Sequence, residues 1–324
     1  MTGGEAEVYY GLNVHTNDDH SMYRLSCEDY ISRAMRKLEL EPKVYDTPMD
    51  HMLVLPRRKA AADEQTHKRY RSLVGSLQHA GVTCRPDIAA TVRELASHLV
   101  APGPEHVSAA VRAMQYLEHT KTTGLTYGGD IGKGCTDFYG TCDAAHNATW
   151  DSRGITGWAY QLNGAAISWH CRAQREIVAL SSTEAELIAV DSAVRELRFL
   201  HKLLAEFGEQ TGTKPTVIGQ DNMSTLKLCE STHFNPRTKH VALRYHHVGS
   251  QQRAGVVRLA YMPTDQIPSD VLTKPLPTEA HRRHTATLMG TRRPAWPEGG
   301  EQAKFLIEHS NDGVKTDAAF LEGV

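Results

Sequence analysis

Residues 141–171 read TCDAAHNATWDSRGITGWAYQLNGAAISWHC, and this stretch decides the fold. Strand-like runs cover Phe138–Asp143, Thr156–Leu162 and Ala165–Trp169. The last two runs are joined by Asn163-Gly164, a dipeptide that favours a two-residue hairpin turn because both positions tolerate positive φ. The sequence therefore predicts three consecutive strands, the last two of them paired as a hairpin.

A long helix is predicted after these strands, over about 183–207, because apolar residues recur there every three or four positions. Further along the chain, the pattern predicts a strand at 215–219, helices near 223–230 and 241–252, a strand at 256–261 and a short helix from about 267. The predicted order of elements is therefore βββαβα(α)βα.

The first part of the chain has a different pattern. A β-like run at 8–14 and a helix near 30–38 precede a loop at 53–67, and three helices are predicted between 70 and 120. Five glycines between positions 124 and 134 mark a domain boundary. We predict a mainly helical unit over 1–127, an α/β unit over 134–277 and a weakly ordered polar tail over 278–324.

Composition excludes several classes of protein. The net charge of −2 gives no global basic field, so any nucleic-acid contact must come from local patches. The six cysteines include no CxxC pair, which argues against a zinc knuckle or a disulfide framework. No run of about 18 apolar residues and no signal-peptide pattern occurs, so we expect an intracellular protein, in cytoplasm or nucleus, without membrane contact.

Acidic residues fall at the ends of four predicted elements in the second unit. Asp143 ends the first strand, and Glu186, with Glu184 beside it, lies in the first turn of the long helix. Asp221 follows the fourth strand, and Asp270 lies in the first turn of the last helix. Each position also has a purely structural explanation as a helix cap or a turn residue.

The joint placement of these carboxylates favours a metal site over separate capping roles. Carboxylates at the ends of neighbouring strands and at helix starts packed on the sheet would meet at one edge. Hard divalent cations need several oxygen ligands held on rigid elements. Two magnesium ions would relieve the repulsion between the carboxylates, and a pair of ions about 3.5–4 Å apart can hydrolyse a phosphodiester.

Besides residues 141–171, the segments ALSSTEAE, QDN, RTKH…RYH and D-x-LTK-x-L occur in this order. Together they resemble the ribonuclease H region of copia-type retrotransposon polyproteins. Within residues 1–127, YYGLNV, DYISRAM, YRSLVGSL and TCRPDIA resemble the end of the reverse transcriptase of the same polyproteins. The resemblance implies a ribonuclease H-like mixed five-stranded sheet flanked by helices, an α/β fold, preceded by a mainly helical C-terminal remnant of a reverse transcriptase.

The resemblance also implies an activity, cleavage of the RNA strand of an RNA–DNA hybrid to give a 5′-phosphate and a 3′-hydroxyl. It implies four catalytic carboxylates that hold two Mg²⁺ ions, or Mn²⁺ in their place: Asp143, Glu186, Asp221 and Asp270. Glu186 is preferred to Glu184 because the Ala-Glu-Leu-Ile-Ala run around it fits the general pattern of ribonuclease H helices.

Contacts to 2′-hydroxyl groups in the wide minor groove would select RNA over DNA. Candidate phosphate contacts are Arg172, Arg175, Lys239 and Arg244. A solvated basic face explains any one of them equally well.

Two departures from the family pattern bear on function. The Tyr-x-Asp-Asp turn of a reverse transcriptase is absent, so polymerase activity is not expected from this chain alone, and the missing polymerase part of the polyprotein becomes a candidate partner. The loop Met262–Gln266 lacks the histidine that cellular ribonucleases H often carry, which predicts a slow enzyme.

Two other functions stay open at this point. A decayed fragment could bind nucleic acid without cutting it. A transposase or integrase could use the same fold, although its last carboxylate is usually a glutamate on a late helix, whereas this chain has Asp270.

Overall fold

The computed structural model describes residues 8–9, 11–60, 62–128, 138–175, 178–209, 214–231 and 242–293. Its first sheet is antiparallel, has the order β1-β2-β3-β4, and contains β1 (Val8–Tyr9), β2 (Leu12–Thr16), β3 (Met22–Ser26) and β4 (Leu125–Gly128). Between β3 and β4 the chain forms α1 (Glu28–Lys37), α2 (Glu64–Thr83), a 3-10 turn (Pro86–Ile88), α3 (Ala89–Ala96) and α4 (Pro104–His119).

The second sheet is mixed and has the order β7-β6-β5-β8-β9. Its strands are β5 (Tyr139–Ala145), β6 (Ile155–Leu162), β7 (Ala165–Ala173), β8 (Thr216–Gln220) and β9 (Val257–Tyr261). The meander β5-β6-β7 is antiparallel, whereas β8 is parallel to both β5 and β9. The helices of this part are α5 (Ser182–Glu206), α6 (Met223–Glu230), α7 (Ala242–Arg253), α8 (Asp270–Thr273) and α9 (Thr278–Leu288).

This mixed five-stranded sheet with flanking helices confirms the predicted ribonuclease H-like fold. The turn between β6 and β7 has the conformation that its sequence demands. Asn163 has φ 52° and Gly164 has φ 103°, the two positive values of a type I′ hairpin. The predicted order of strands and helices is reproduced, with bounds that differ by a few residues.

The two faces of the mixed sheet are covered by different helices. On one face, the apolar stripe of α5 packs on Cys142, Trp158, Tyr160 and Ile218. On the other face, Ala159 and α8 join a hydrophobic core that includes Leu77 of α2. The N-terminal helices and the mixed sheet therefore share one continuous core. The predicted domain boundary falls largely on residues 129–137, which lie outside the described residues, so the division into domains stays a prediction.

Two parts of the secondary structure differ from the predictions. Strands β3 and β4 were not predicted. β3 pairs locally with β2, but the partner of the short strand β4 in this sheet is β3, about a hundred positions away in the chain. The predicted weakly ordered tail is wrong for Thr278–Leu288, which form α9. The buried face of α9 includes His281, His284 and Thr287, so a search for apolar periodicity misses this helix.

No helix within the described ranges combines the length and the apolar character needed to cross a membrane.

Candidate carboxylate site

Parallel pairing of two central strands brings Asp143 and Asp221 to the same edge of the sheet. Asp143 lies near the end of β5, and Asp221 directly follows β8. The two strands are parallel neighbours, with Thr141 opposite Gly219, so their C-terminal ends meet. The prediction that these two carboxylates share an edge is thus met by the topology.

Glu186 reaches the same edge from the second turn of α5. The buried side chain of Gln220 fixes it, since Nε2 of Gln220 donates a 2.8 Å hydrogen bond to Oε2 of Glu186. The Oε1 atom of Gln220 accepts a 2.9 Å bond from the backbone N–H of Asn222. These two bonds orient the amide, so β8 holds the glutamate of α5 in place.

Three carboxylates come together in the structure. One carboxylate oxygen from each of Asp143, Glu186 and Asp221 lies within 4.8 Å of the other two. Asp143 and Glu186 are buried, and Asp221 is half-buried. Three oxygen ligands at this spacing, two of them withdrawn from solvent, match what a hard divalent cation requires.

Asp270 borders this cluster through its effect on Asp143. The first residue of α8 is Asp270, and the Oγ1 atom of Thr273 in the same turn donates a 2.6 Å hydrogen bond to Oδ2 of Asp143. The helix can approach because β6 carries Gly157 opposite Asp143. A Cβ at Gly157 would lie 2.6 Å from Cγ2 of Thr273 and 3.1 Å from the carbonyl oxygen of Ser269.

The carboxyl groups of the cluster share a direction of pKa shift. Burial, followed by the charge of Asp143, raises the pKa of Glu186 to about 9. Burial, followed by the charge of Asp270, raises the pKa of Asp143 to about 6. Burial also raises the pKa of Asp221, against the 2.7 Å hydrogen bond that it accepts from Thr264. A bound cation would lower these pKa values again. The three carboxylates therefore suit a metal ion by their negative charge as well as by their oxygen ligands.

A positively charged side chain, that of Lys274, lies beside the cluster, and it was not among the residues predicted from the sequence. Its Nζ atom lies 2.5 Å from Oδ1 of Asp270, one helical turn earlier in the chain. The charges of Asp143, Asp270 and Asp221 raise its pKa despite partial burial. The D-x-LTK-x-L segment contains both members of this pair at i,i+4 spacing, and that spacing is the signal that could have identified Lys274.

Glu184 has a different role from Glu186. The N-cap of α5 is Ser181, whose hydroxyl accepts a 3.2 Å hydrogen bond from the backbone N–H of Glu184. The Oε2 atom of Glu184 accepts a 2.8 Å bond from the backbone N–H of Leu180. The helix cap therefore consists of Ser181 and Glu184, and Glu186 is not part of it.

The four candidate phosphate contacts are not equivalent. Arg172 and Arg175 are exposed, on β7 and just after it. Arg244 lies on α7, and its Nη1 atom is 3.3 Å from Oδ2 of the buried Asp191, so a structural ion pair already engages its charge. Lys239 lies outside the described residues.

Comparison with known proteins gives the chain's relatives. The Pol polyprotein from transposon TNT 1-94 of Nicotiana tabacum is 32% identical over 85% of this chain, and that from transposon RE1 of Arabidopsis thaliana is 34% identical over 89%. The chain belongs to the copia-type retrotransposon Pol polyproteins. It spans only 21% and 19% of the length of these two polyproteins. No protein-family model matches the chain.

Two further proteins are similar to parts of this Pol polyprotein segment. Secreted RxLR effector protein 161 of Plasmopara viticola is 38% identical over 40% of this chain and 90% of its own length. RNase H1 of Halobacterium salinarum superposes with a TM-score of 0.31 and 15% identity over 42% of this chain and 93% of its own. A TM-score below 0.5 does not by itself establish a shared fold. The ribonuclease H-like fold of this chain follows from the order and register of its strands.

Proposed function

We propose that the chain is the ribonuclease H segment of a copia-type Pol polyprotein and cuts the RNA strand of RNA–DNA hybrids with two divalent cations. The observation that carries the proposal is the convergence of Asp143, Glu186 and Asp221 at one sheet edge, with Asp270 beside them. Family membership supports the same activity, since the chain belongs to polyproteins of elements that copy RNA into DNA.

In this proposal Asp143, Glu186, Asp221 and Asp270 hold two Mg²⁺ ions, or Mn²⁺ in their place. When bound, the ions lower the pKa of the attacking water and stabilise the departing 3′ oxygen. The neighbours of these carboxylates restrict their rotation. Thr273 donates to Asp143, Gln220 to Glu186, and Thr264 to Asp221. Ligands fixed in advance lose little entropy when the cations bind.

The chain represents about a fifth of its polyprotein relatives, so the wider assembly is also a proposal. We propose that residues 1–127 are the end of the reverse transcriptase and residues 134–277 the nuclease, and that a polymerase part supplied by the rest of the polyprotein delivers the hybrid. Contacts to 2′-hydroxyl groups would then distinguish the RNA strand from the DNA strand.

A fluorescent hybrid substrate tests the nuclease proposal. The chain should cut the RNA strand with Mg²⁺ or Mn²⁺ and should not cut it in EDTA. Asp143→Asn should be inactive while retaining the far-UV circular dichroism of the parent, because the amide keeps the shape of the side chain and removes its charge. Equal cutting by the two proteins would reject the assignment of Asp143.

One observation favours an alternative, a decayed segment that binds nucleic acid without cutting it. Lys274 already compensates Asp270, so the cluster is partly neutralised without a metal ion. Thermal unfolding with and without Mg²⁺ separates the two functions. A functional metal site should raise the unfolding midpoint, since a ligand at 100 times its dissociation constant adds about 2.7 kcal/mol. A decayed site should show no rise.

A further inference from the structure

A groove of about 770 Å³ opens between the N-terminal helices and the edge of the mixed sheet at β7. One wall comes from α2, α3 and the segment around Arg57, and the other from the loop after β5 and from β7. Neither Lys274 nor any of the four carboxylates of the candidate site (Asp143, Glu186, Asp221 and Asp270) lines it. The groove is therefore a site distinct from the one described above.

The walls of the groove carry a net positive charge. Their charged side chains, among the described residues, are five arginines and two carboxylates: Arg57, Arg93, Arg153, Arg172, Arg175, Glu94 and Asp151. Each carboxylate is paired with an adjacent arginine, Glu94 with Arg93 at 3.0 Å and Asp151 with Arg153 at 2.7 Å. The other three arginines carry the excess charge.

An aromatic platform lies between these arginines. The side chain of Trp150, in the loop after β5, is 69% exposed, which is unusual for a residue that normally buries its large ring. The guanidinium carbon of Arg57, from the opposite wall, lies 4.2 Å from its ring centroid. A second indole, that of Trp169, is anchored in the wall by a 2.8 Å hydrogen bond to the carbonyl oxygen of Gly81.

The sheet register gives the distance from this groove to the carboxylates. Asp143 on β5 lies opposite Gly157 on β6, which lies opposite Cys171 on β7, a groove residue. Adjacent strands are about 4.8 Å apart, so the groove wall is about 10 Å from Asp143. A polynucleotide could contact both sites at once.

We propose that this groove binds a short single-stranded stretch of polynucleotide, with phosphates on Arg172 and Arg175 and a base stacked on Trp150. A basic groove with an exposed aromatic ring is the arrangement that binds single strands, because every unpaired base offers a stacking face. In a duplex the bases are already stacked. The groove volume of about 770 Å³ lies within the range of about 300–1,000 Å³ that is typical of ligand sites, which is room for a few nucleotides of one strand.

The proposed groove site acts independently of the nuclease proposal, because it needs no carboxylate and no metal ion. In the context of that function, it would hold the unpaired end of a strand next to a hybrid. The two proposals can fail separately, since one predicts cutting and the other predicts binding in EDTA.

Fluorescence anisotropy with a labelled twelve-nucleotide oligo-dT in EDTA tests the groove site on the full chain. Trp150→Ala should weaken binding about tenfold, since stacking on an aromatic side chain is worth about 1–3 kcal/mol per base. Phe199→Ala, which removes another exposed aromatic ring on α5, should leave binding unchanged. The protein Asp143→Asn should bind the oligonucleotide at least as tightly as the parent.

The salt dependence of the same binding tests the arginines. Arg172→Gln with Arg175→Gln should reduce the slope of log K against log salt by about 1.4, the value for two lost phosphate contacts on a single strand. Arg198→Gln with Lys202→Gln removes the same charge from α5 and should not change the slope. If both pairs of substitutions changed the salt slope equally, the proposed groove site would be wrong. It would also be wrong if Trp150→Ala weakened binding of a DNA duplex as much as binding of the single strand.

Discussion

Gly157 of β6 and Thr273 of α8 approach so closely that a Cβ on the glycine would lie 2.6 Å from Cγ2 of the threonine. This approach is the reason that Asp270 borders the site. The hydroxyl of Thr273 donates to Asp143, the residue opposite Gly157 in the sheet, and a 2.6 Å hydrogen bond joins the hydroxyls of Ser269 and Thr141, so both contacts hold α8 against β5. The geometry of the carboxylate cluster therefore depends on the absence of a side chain at position 157.

Gly157→Ala should displace α8 and separate Asp270 from Asp143. Overpacking of this kind costs about 1–3 kcal/mol, so the free energy of unfolding in urea should fall by that amount. Hybrid cutting should fall further than the loss of stability explains, because the surviving folded protein has a misplaced ligand.

Gly75→Ala is the matched control for this substitution. Gly75 lies in α2, and a Cβ there would meet no heavy atom within 4 Å. Alanine should therefore stabilise the protein by about 0.5–1 kcal/mol and leave cutting unchanged. If Gly157→Ala behaved like Gly75→Ala, the close packing of α8 would not control the site.

Substitutions of the two glutamates at the start of α5 should differ in their effects on stability and on the response to Mg²⁺. Glu184→Ala removes the acceptor for the N–H of Leu180 and should cost about 1 kcal/mol of stability, while the Mg²⁺-induced rise in unfolding midpoint persists. Glu184→Gln keeps an acceptor oxygen and should cost less. Glu186→Gln should abolish the Mg²⁺ response. Thermal unfolding of the three variants with and without Mg²⁺ measures these effects. Loss of the Mg²⁺ response in Glu184→Ala, with the response kept in Glu186→Gln, would contradict the two roles.

Local patterns in the sequence predicted most elements of the mixed sheet. The Asn163-Gly164 turn and the apolar stripe of α5 are encoded within short windows, and both are found in the structure. Strand β4 pairs with β3 across a long separation in the chain, and the buried face of α9 is mostly polar, with two histidines and a threonine beside Leu288. No short window contains that information, because it belongs to the packing of the N-terminal helices on the sheet.

The candidate site was predictable to a similar extent. Four carboxylates were singled out from their positions at element ends, and the structure brings oxygen atoms of three of them within 4.8 Å of one another. Parallel pairing of β5 with β8 brings two of these three to one edge. The supporting contacts were not predicted. Gln220 and Thr273 carry no charge and have no special spacing, and their role follows only from the side chains that they reach.

The contribution of Asp143 and Glu186 to stability in EDTA should fall as the pH rises from 5 to 8. The folded-state pKa values of Asp143 and Glu186, about 6 and about 9, exceed the values near 4 of an unfolded chain. The folded protein therefore binds more protons in this window, and the stabilisation present at low pH is lost as each carboxyl ionises. For Asp143 alone, the raised pKa corresponds to about 3 kcal/mol.

Urea unfolding in EDTA at pH 5 and pH 8 measures this loss. Asp143→Asn should reduce the difference between the two pH values by about 1 kcal/mol, because only the interval from pH 5 to the folded-state pKa near 6 lies inside the measured window. Saturating Mg²⁺ should reduce the difference in the parent protein. A pH difference of the same size in Asp143→Asn and in the parent would mean that the pKa of Asp143 is not raised in the folded state.

Removal of Lys274 should strengthen metal binding in the absence of nucleic acid. Its ammonium group lies 2.5 Å from Asp270, so a cation entering the cluster must overcome the repulsion of that charge or displace it. Two unit charges 4 Å apart at an effective dielectric constant of 20 interact by about 4 kcal/mol, and the half-exposed lysine should retain part of this energy. We expect Lys274→Gln to bind Mn²⁺ roughly threefold to thirtyfold more tightly in a titration followed by electron paramagnetic resonance. Lys202→Gln, an exposed lysine of α5, should bind Mn²⁺ like the parent. Weaker Mn²⁺ binding by Lys274→Gln would show that the lysine supports the cation site, and the fourth carboxylate would then need a different role.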